Sequence, residues 1–312
     1  MDLVKYSVRR FGYMIVTLWF IITVTFFLMH LLPGSPLRNE EKLPPQIKEQ
    51  ILKEYGLKDP LHVQYFRYMG GLLKGDLGTS MTFDGKKITD MVMEGFPASA
   101  QLGLQAIILG CLIGLILGVI SGLRRGSWVD NITTVIAVLG VSVPSFVIAA
   151  VLSYSLGLKL GWFPVALWGT FSHTVLPTLA LTFIVIAQIA RYTRTEMVEV
   201  LEQDYIKTAK AKGLARNKIL SKHALRNALI PAVTILGPMT VNLMTGSMVV
   251  ELIFAIPGMG KLFVDCINNK DLTLIMGTTT FYSAFLLFAI FIVDILYGLI
   301  DPRIRVAQSG KE

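Results

Sequence analysis

Charge is scarce in this chain. Asp, Glu, Lys and Arg make up 16% of its 312 residues, where soluble domains carry roughly 25%. The shortage is uneven, because the charges gather in blocks between long apolar runs. Hydrophobic residues reach 53%, which leaves no room for a large water-facing globular domain. Catalytic signatures are also missing. There is no His-Glu-x-x-His and no Gly-x-Ser-x-Gly, and the histidines His30, His62, His173 and His223 stand without metal-ligand spacing. Of the two cysteines, Cys111 falls in an apolar run and Cys266 in a polar link, so neither a disulfide nor a Cys-x-x-Cys site is expected. The nearest approach to a phosphate loop is Gly258-Met259-Gly260-Lys261. It has Ala255 where a Walker loop needs its first glycine and Leu262 where it needs Ser or Thr. The chain is therefore expected to be non-catalytic and to bind no cofactor of its own. A net charge of +8, without aromatic platforms or basic reading helices, gives no support for nucleic-acid binding.

What the chain does have is length in its apolar runs. Crossing a bilayer takes about 20 apolar residues in a helix. Six runs qualify: Phe11–Leu32, Ala98–Leu123, Ile132–Leu156, His173–Ala190, Ala228–Ile253 and Ile275–Leu299. The first is too long for a signal-peptide core and no small-x-small pattern follows it, so it reads as a retained helix. The expected fold is an all-α integral membrane protein with six transmembrane helices.

Basic residues set the expected orientation. Lys5, Arg9 and Arg10 precede the first span, Arg124 and Arg125 join the second to the third, and Arg303, Arg305 and Lys311 follow the last. Nine more lie between the fourth and fifth: Arg191, Arg194, Lys207, Lys210, Lys212, Arg216, Lys218, Lys222 and Arg226. The opposite short links hold only Lys159, Lys261 and Lys270. The positive-inside rule puts both termini in the cytoplasm. Four divisions follow: a leader with the first helix (1–32), an extracytoplasmic cap loop (33–97), a five-helix core (98–300) containing a cytoplasmic segment (191–227), and a cytoplasmic tail (301–312). Within the cap, Pro44 and Pro45 open an amphipathic helix that Gly56 is placed to end, and a second helix fits Leu61–Leu73.

Inside the spans, Gly110, Gly114, Gly118 and Gly122 recur every fourth residue, giving one bare face for close helix approach, with packing inside the subunit favoured over a subunit–subunit contact. Pro144, Pro177, Pro231 and Pro238 interrupt spans, and kinked helices of this kind suit a transporter, with plain architecture the alternative for each. Gln188, Asn242, Thr245 and Ser247 are the polar candidates for a translocation pathway, with inter-helix hydrogen bonding the plainer role for each. Glu251 and Asp294 fall near span ends, where solvation is expected to suffice. No acid lies at the centre of a span, which disfavours an ion-coupled secondary transporter.

The cytoplasmic segment is the informative one. Met197, Leu201, Tyr205 and Ala209 form a helical stripe, and Ala209, Ala211, Gly213 and Ala215 a small-residue patch that another protein can approach. A solvated basic loop near anionic lipid is the alternative. The run from Asp204 through Lys207-Thr208-Ala209 to Gly213-Leu214, followed by His223-Ala224-Leu225-Arg226-Asn227 and Pro231, resembles the coupling segment of ABC importer permeases of the peptide and nickel branch. The general Glu-Ala-Ala-x-x-x-Gly pattern survives only in Ala209 and Gly213. Further matches in order are Leu32-Pro33-Gly34-Ser35-Pro36, Gly75-Asp76-Leu77-Gly78-Thr79-Ser80, Val141-Ser142-Val143-Pro144-Ser145-Phe146, Phe254-Ala255-Ile256-Pro257-Gly258-Met259-Gly260 and Asp301-Pro302-Arg303. Within the branch, the likeness is greatest to the first membrane subunit of oligopeptide permeases.

That resemblance implies a bacterial plasma-membrane protein, surrounded by lipid, that imports peptides, oligopeptides above all, by alternating access. It implies a heterodimer with a second homologous permease, two cytoplasmic ATPase subunits that bind ATP and Mg, and an extracytoplasmic substrate-binding lipoprotein. Ala209, Lys210, Ala211, Gly213, Leu214 and Arg216 would dock the ATPases. Import of nickel or another small solute is the alternative in the same branch.

Overall fold

The computed structural model describes residues 3–31, 44–83 and 85–300. The Leu32–Pro36 motif, Asp301-Pro302-Arg303 and the basic tail lie outside these residues. Helices account for the spans: α1 (Leu3–Leu31), α4 (Ile88–Leu123), α7 (Phe171–Glu202), α11 (Ile230–Met244) continued by α12 (Met248–Ile253), and α14 (Leu272–Ile300). The third span is a bent pair, α5 (Trp128–Ser142) and α6 (Ser145–Leu152), the latter prolonged by a π-helical stretch to Lys159. Shorter helices are α2 (Pro45–Glu54), α3 (Leu61–Leu72), α8 (Asp204–Ala211), α9 (Arg216–Ile219), α10 (Leu225–Ala228) and α13 (Met259–Asn268). The span ends sort into a cap end, beside α2, α3 and α13, and a basic end, beside α8–α10.

The glycine spacing in α4 finds its partner within the chain. A Cβ on Gly110 would sit 2.4 Å from Cβ of Val185, and one on Gly122 2.6 Å from Cβ of Met197; Gly114 and Gly118 meet Ile189 and Thr193 in the same way. Real Cβ atoms do not approach so closely, so α4 and α7 lie together only because the stripe is bare. Gly103 admits the backbone of Leu243 and Met244, and Gly140 the Cβ of Ala187, so α11 and α5 close on the same central pair. Around it, Leu102, Ala106, Leu176, Leu181 and Val185 form the main core. By contrast α1 lies along α14 and leaves Val8, Val16, Phe20 and Leu28 exposed, an apolar surface fit for lipid.

Several boundaries differ from the sequence expectation; α7, for one, continues to Glu202, past the expected end at Ala190. Residues 88–97, expected in the cap loop, form the first turns of α4. The third span is not straight: α5 and its continuation bend by 102° at Val143–Pro144. Proline has no N–H to continue the ladder and forces the residue before it into an extended conformation, which Val143 adopts at φ −88°, ψ 120°. The fifth run breaks between α11 and α12, where Gly246 takes φ +108°.

The cap is tied down by polar contacts. Gly56, at φ +64°, ends α2 and lets its N–H reach Lys53 O and that of Leu57 reach Leu52 O. Helix α3 then bonds across to the spans, Tyr65 with Thr23 at 2.8 Å, Gln64 with His30 at 3.1 Å and Tyr68 with Thr280 at 3.0 Å. Burial pushes the Tyr68 phenol above its ordinary pKa. The Gly75–Ser80 motif forms a turn with a single antiparallel bridge, Thr79 to Lys87.

Candidate functional site

At the basic end the sequence turns sharply twice. Helix α7 stops at Glu202, Gln203 is extended, and α8 runs Asp204–Ala211. Lys207 bonds Asp204 at 2.8 Å and holds its carboxyl below the ordinary range. Gly213 then takes φ +72°, a left-handed conformation that closes α8 and that a side chain would strain. Ile206 and Ala209 on one face of α8 are buried with Met197, Val200, Ile219, Ala224 and Ala228. The other face is exposed.

Of the six residues predicted to dock a partner, five lie on the accessible side: Lys210, Ala211, Gly213 and Arg216 are exposed and Leu214 is half-buried. Ala209 is the odd one, being packed inward, so its place is to seat α8. Lys210, Leu214 and Arg216 line one open pocket of about 450 Å³, floored by Leu123, Leu201, Ile219 and Leu220. Nothing lies within 4 Å of a Cβ built on Gly213, so the approach there is open.

Beneath this surface sits an ion pair that sequence reading missed. Arg194 of α7 donates to both oxygens of Asp130 at the start of α5, at 2.6 and 2.9 Å. Ser121 Oγ and the Gly126 N–H donate to the same carboxylate, at 2.5 and 2.9 Å. Asp130 is 3% exposed. The pair joins α4, α5 and α7 at the end where α8 is attached. In sequence the two residues were only charges near span ends, and nothing in their spacing, 64 positions apart, links them.

The pathway candidates divide. Asn242 and Thr245 line one open pocket of about 350 Å³ near the cap end, with Gly246, Met248, Gly260, Phe263, Val264 and Tyr282. Tyr282 Oη donates to Asn242 Oδ1 at 2.7 Å. Ser247 is half-buried beside it at the start of α12, and Gln188 is half-buried on α7, outside this lining. Tyr282 was not singled out from sequence; a tyrosine in an apolar run is ordinarily core.

Two carboxylates correct the expectation of simple solvation at span ends. Glu251 is 2% exposed. It accepts from Ser99 Oγ at 2.6 Å and Gly260 N–H at 2.9 Å, while Ser99 Oγ accepts from Met259 N–H at 2.8 Å. A Cβ on Gly258 would sit 2.4 Å from its Oε2, which explains the glycines of the Phe254–Gly260 motif. Asp294 is paired with Arg10 of α1 at 3.0 Å, its side chain 18% exposed. A third carboxylate, Asp271, is fully buried at the cap end. It accepts from Ser80 Oγ at 2.5 Å, from the N–H groups of Met81 and Thr82, and from Thr273 and Leu274 at the start of α14.

Comparison with known proteins agrees with this architecture. Residues 114–306 match the family described as binding-protein-dependent transport system inner membrane component, and residues 3–102 match the N-terminal unit described for such membrane components. The chain belongs to this family. It is 47% identical to a dipeptide transport system permease protein of Bacillus subtilis, over 98% of this chain and 99% of that one. It is 42% identical to an oligopeptide transport system permease protein of Haemophilus influenzae, over 97% of this chain and all of the other. A solved amino acid ABC transporter shares the fold at 13% identity and a TM-score of 0.52, covering 67% of this chain and 93% of that chain. As a member of the family, the chain is a multi-pass membrane component of a transport system.

Proposed function

We propose that this chain is one of two membrane-spanning subunits of an ATP-driven importer that carries peptides into the cell. The observation that carries the reading is α8: a short helix closed by Gly213 that presents Lys210 and Ala211, with Arg216 exposed just beyond the turn, while Ile206 and Ala209 fix it to the bundle. The relatives named for dipeptide and oligopeptide transport, similar over their full length, support peptides as the cargo. The basic end, with Arg124, Arg125 and the charges of 191–227, faces the cytoplasm, and the cap faces outside. A second homologous permease completes the passage, two ATPase subunits holding ATP and Mg dock at the basic end, and a substrate-binding protein delivers peptide to the cap end.

Coupling follows from how α8 is attached. Closure of the ATPase pair pushes α8, whose buried face shares a cluster with the end of α7 and with α10. Helix α7 cannot slide independently of α4, because side chains at four levels fill the glycine stripe. The Arg194–Asp130 pair carries α5 along. A push at the basic end therefore moves α4, α5 and α7 as one body and reopens the passage lined by Asn242 and Thr245 on the other side of the membrane.

The test is uptake by the reconstituted transporter. Gly213→Arg is expected to abolish peptide uptake while the chain still inserts, but at φ +72° it disturbs the turn as well as the surface. Ala211→Glu keeps the helix and changes only the presented face. It is expected to separate ATP hydrolysis from uptake, and normal uptake by this variant would refute the docking surface. A tagged chain that brings down neither ATPases nor a second permease would refute the assembly.

A further inference from the structure

On α11, Thr234, Pro238 and Asn242 are four residues apart and all exposed. Thr234 returns its hydroxyl to Ile230 O, and Pro238 has no N–H to offer. Asn242 differs. Its carbonyl oxygen accepts from the Tyr282 hydroxyl at 2.7 Å, and in that arrangement the two N–H donors are on the other side. A lipid chain has no acceptor for them, so an exposed asparagine on a membrane helix turns to a neighbouring subunit or to a watered passage rather than to lipid, and the open pocket beside it favours the passage. The pocket beside it is about 350 Å³, at the small end of the roughly 300–1,000 Å³ of ligand sites.

The lining of that pocket narrows the ligand. Asn242, Thr245, Gly246, Met248, Gly260, Phe263, Val264 and Tyr282 include no Asp, Glu, Lys, Arg or His. The Thr245 hydroxyl is committed to Val241 O at 2.7 Å. A neutral wall with one oriented amide donor suits a ligand that repeats a carbonyl acceptor and varies in everything else. We propose that Asn242, oriented by Tyr282, is a main-chain subsite: its amide N–H bonds a backbone carbonyl of the passing peptide, and the uncharged walls admit any side chain. The proposal rests on the peptide-import reading and adds the group that grips the cargo in transit.

The experiment uses the complete transporter in proteoliposomes, with its ATPases, second permease and binding protein, and a panel of neutral, acidic and lysine-containing peptides. Maximal uptake rates are measured with the binding protein saturated, so that recognition outside the membrane is held constant. Asn242→Leu removes the donor, and maximal uptake is expected to fall about tenfold for all peptides alike. Asn242→Asp replaces the donor with a carboxylate. Neutral and acidic peptides are expected to fall as far, while lysine-containing ones retain more. Tyr282→Phe frees the amide to rotate, with a uniform loss of about threefold; it reads the subsite even if Asn242→Leu does not assemble. Wild-type rates in Tyr282→Phe together with an assembled Asn242→Leu or Asn242→Asp overturn the subsite, as does a loss in Asn242→Leu that follows peptide charge. A wild-type complex that carries no peptide overturns the import reading itself, and the subsite with it.

Discussion

The two ends of the bundle both bury carboxylates, and they satisfy them by different means. At the cap end Glu251 and Asp271 are held by neutral donors: serine and threonine hydroxyls and backbone N–H groups, with glycines crowded close enough to bring the backbone in. At the basic end Asp130 is held chiefly by Arg194, which is itself 31% exposed on its side chain. A carboxylate gripped by buried hydroxyls and backbone N–H groups pins the loops that supply them in one path. One gripped by an arginine joins whole helices through a flexible arm that water reaches. The cap end is thus built to hold one shape, and the basic end to keep separate helices moving together.

The largest effect that would test this contrast is at Gly258. A methyl there overlaps both Glu251 Oε2 and Ser99 Oγ. Gly258→Ala should therefore destabilise the solubilised protein by on the order of 3–5 kcal/mol, combining overpacking with loss of donors to a buried acid. A thermal unfolding midpoint equal to wild type would show that the loop yields, and the contrast would fail. Next, Asp130→Ala should cost about 3 kcal/mol, the low end for breaking a buried pair, because the orphaned Arg194 can be partly rehydrated. Exchanging the two, Asp130→Arg with Arg194→Asp, should restore part of that stability. No recovery would mean that Ser121 and Gly126, rather than the arginine, define the site. Smaller still, Ser80→Ala removes one of several donors to Asp271 and should cost about 1–2 kcal/mol in the same unfolding assay. Smallest, Lys58→Gln breaks an exposed pair with Glu49 and should leave the unfolding midpoint where it was.

The same contrast explains what could be read from sequence. Apolar length and the four-residue glycine repeat are local patterns, so the spans and the bare face of α4 were legible. Pro44, Pro45 and Gly56 gave the bounds of α2 for the same reason. The bend at Val143–Pro144 was legible as an interruption but not as a 102° turn, because the angle depends on what α6 packs against. The carboxylates were not legible. Glu251 finds Ser99 across 152 positions and Asp271 finds Ser80 across 191, and a charge at a span end looks the same whether water or a folded loop receives it. In the proposed passage, Asn242 and Thr245 stood out as polar residues in apolar surroundings, whereas the bond of Tyr282 to Asn242 joins residues 40 positions apart.

The glycine stripe of α4 also has a consequence for how the chain is made. Its four notches are filled by Val185, Ile189, Thr193 and Met197, all of which leave the ribosome after α4 is complete. Roughly 80 residues of synthesis separate the end of α4 from the end of α7, about 4–16 s at the usual pace of translation. Until α7 is made, α4 has an unfilled groove from Gly110 to Gly122. The newborn helix needs a temporary neighbour, lipid or insertion machinery, that leaves when its permanent one arrives, and the timing of that handover is written into the order of the genetic text.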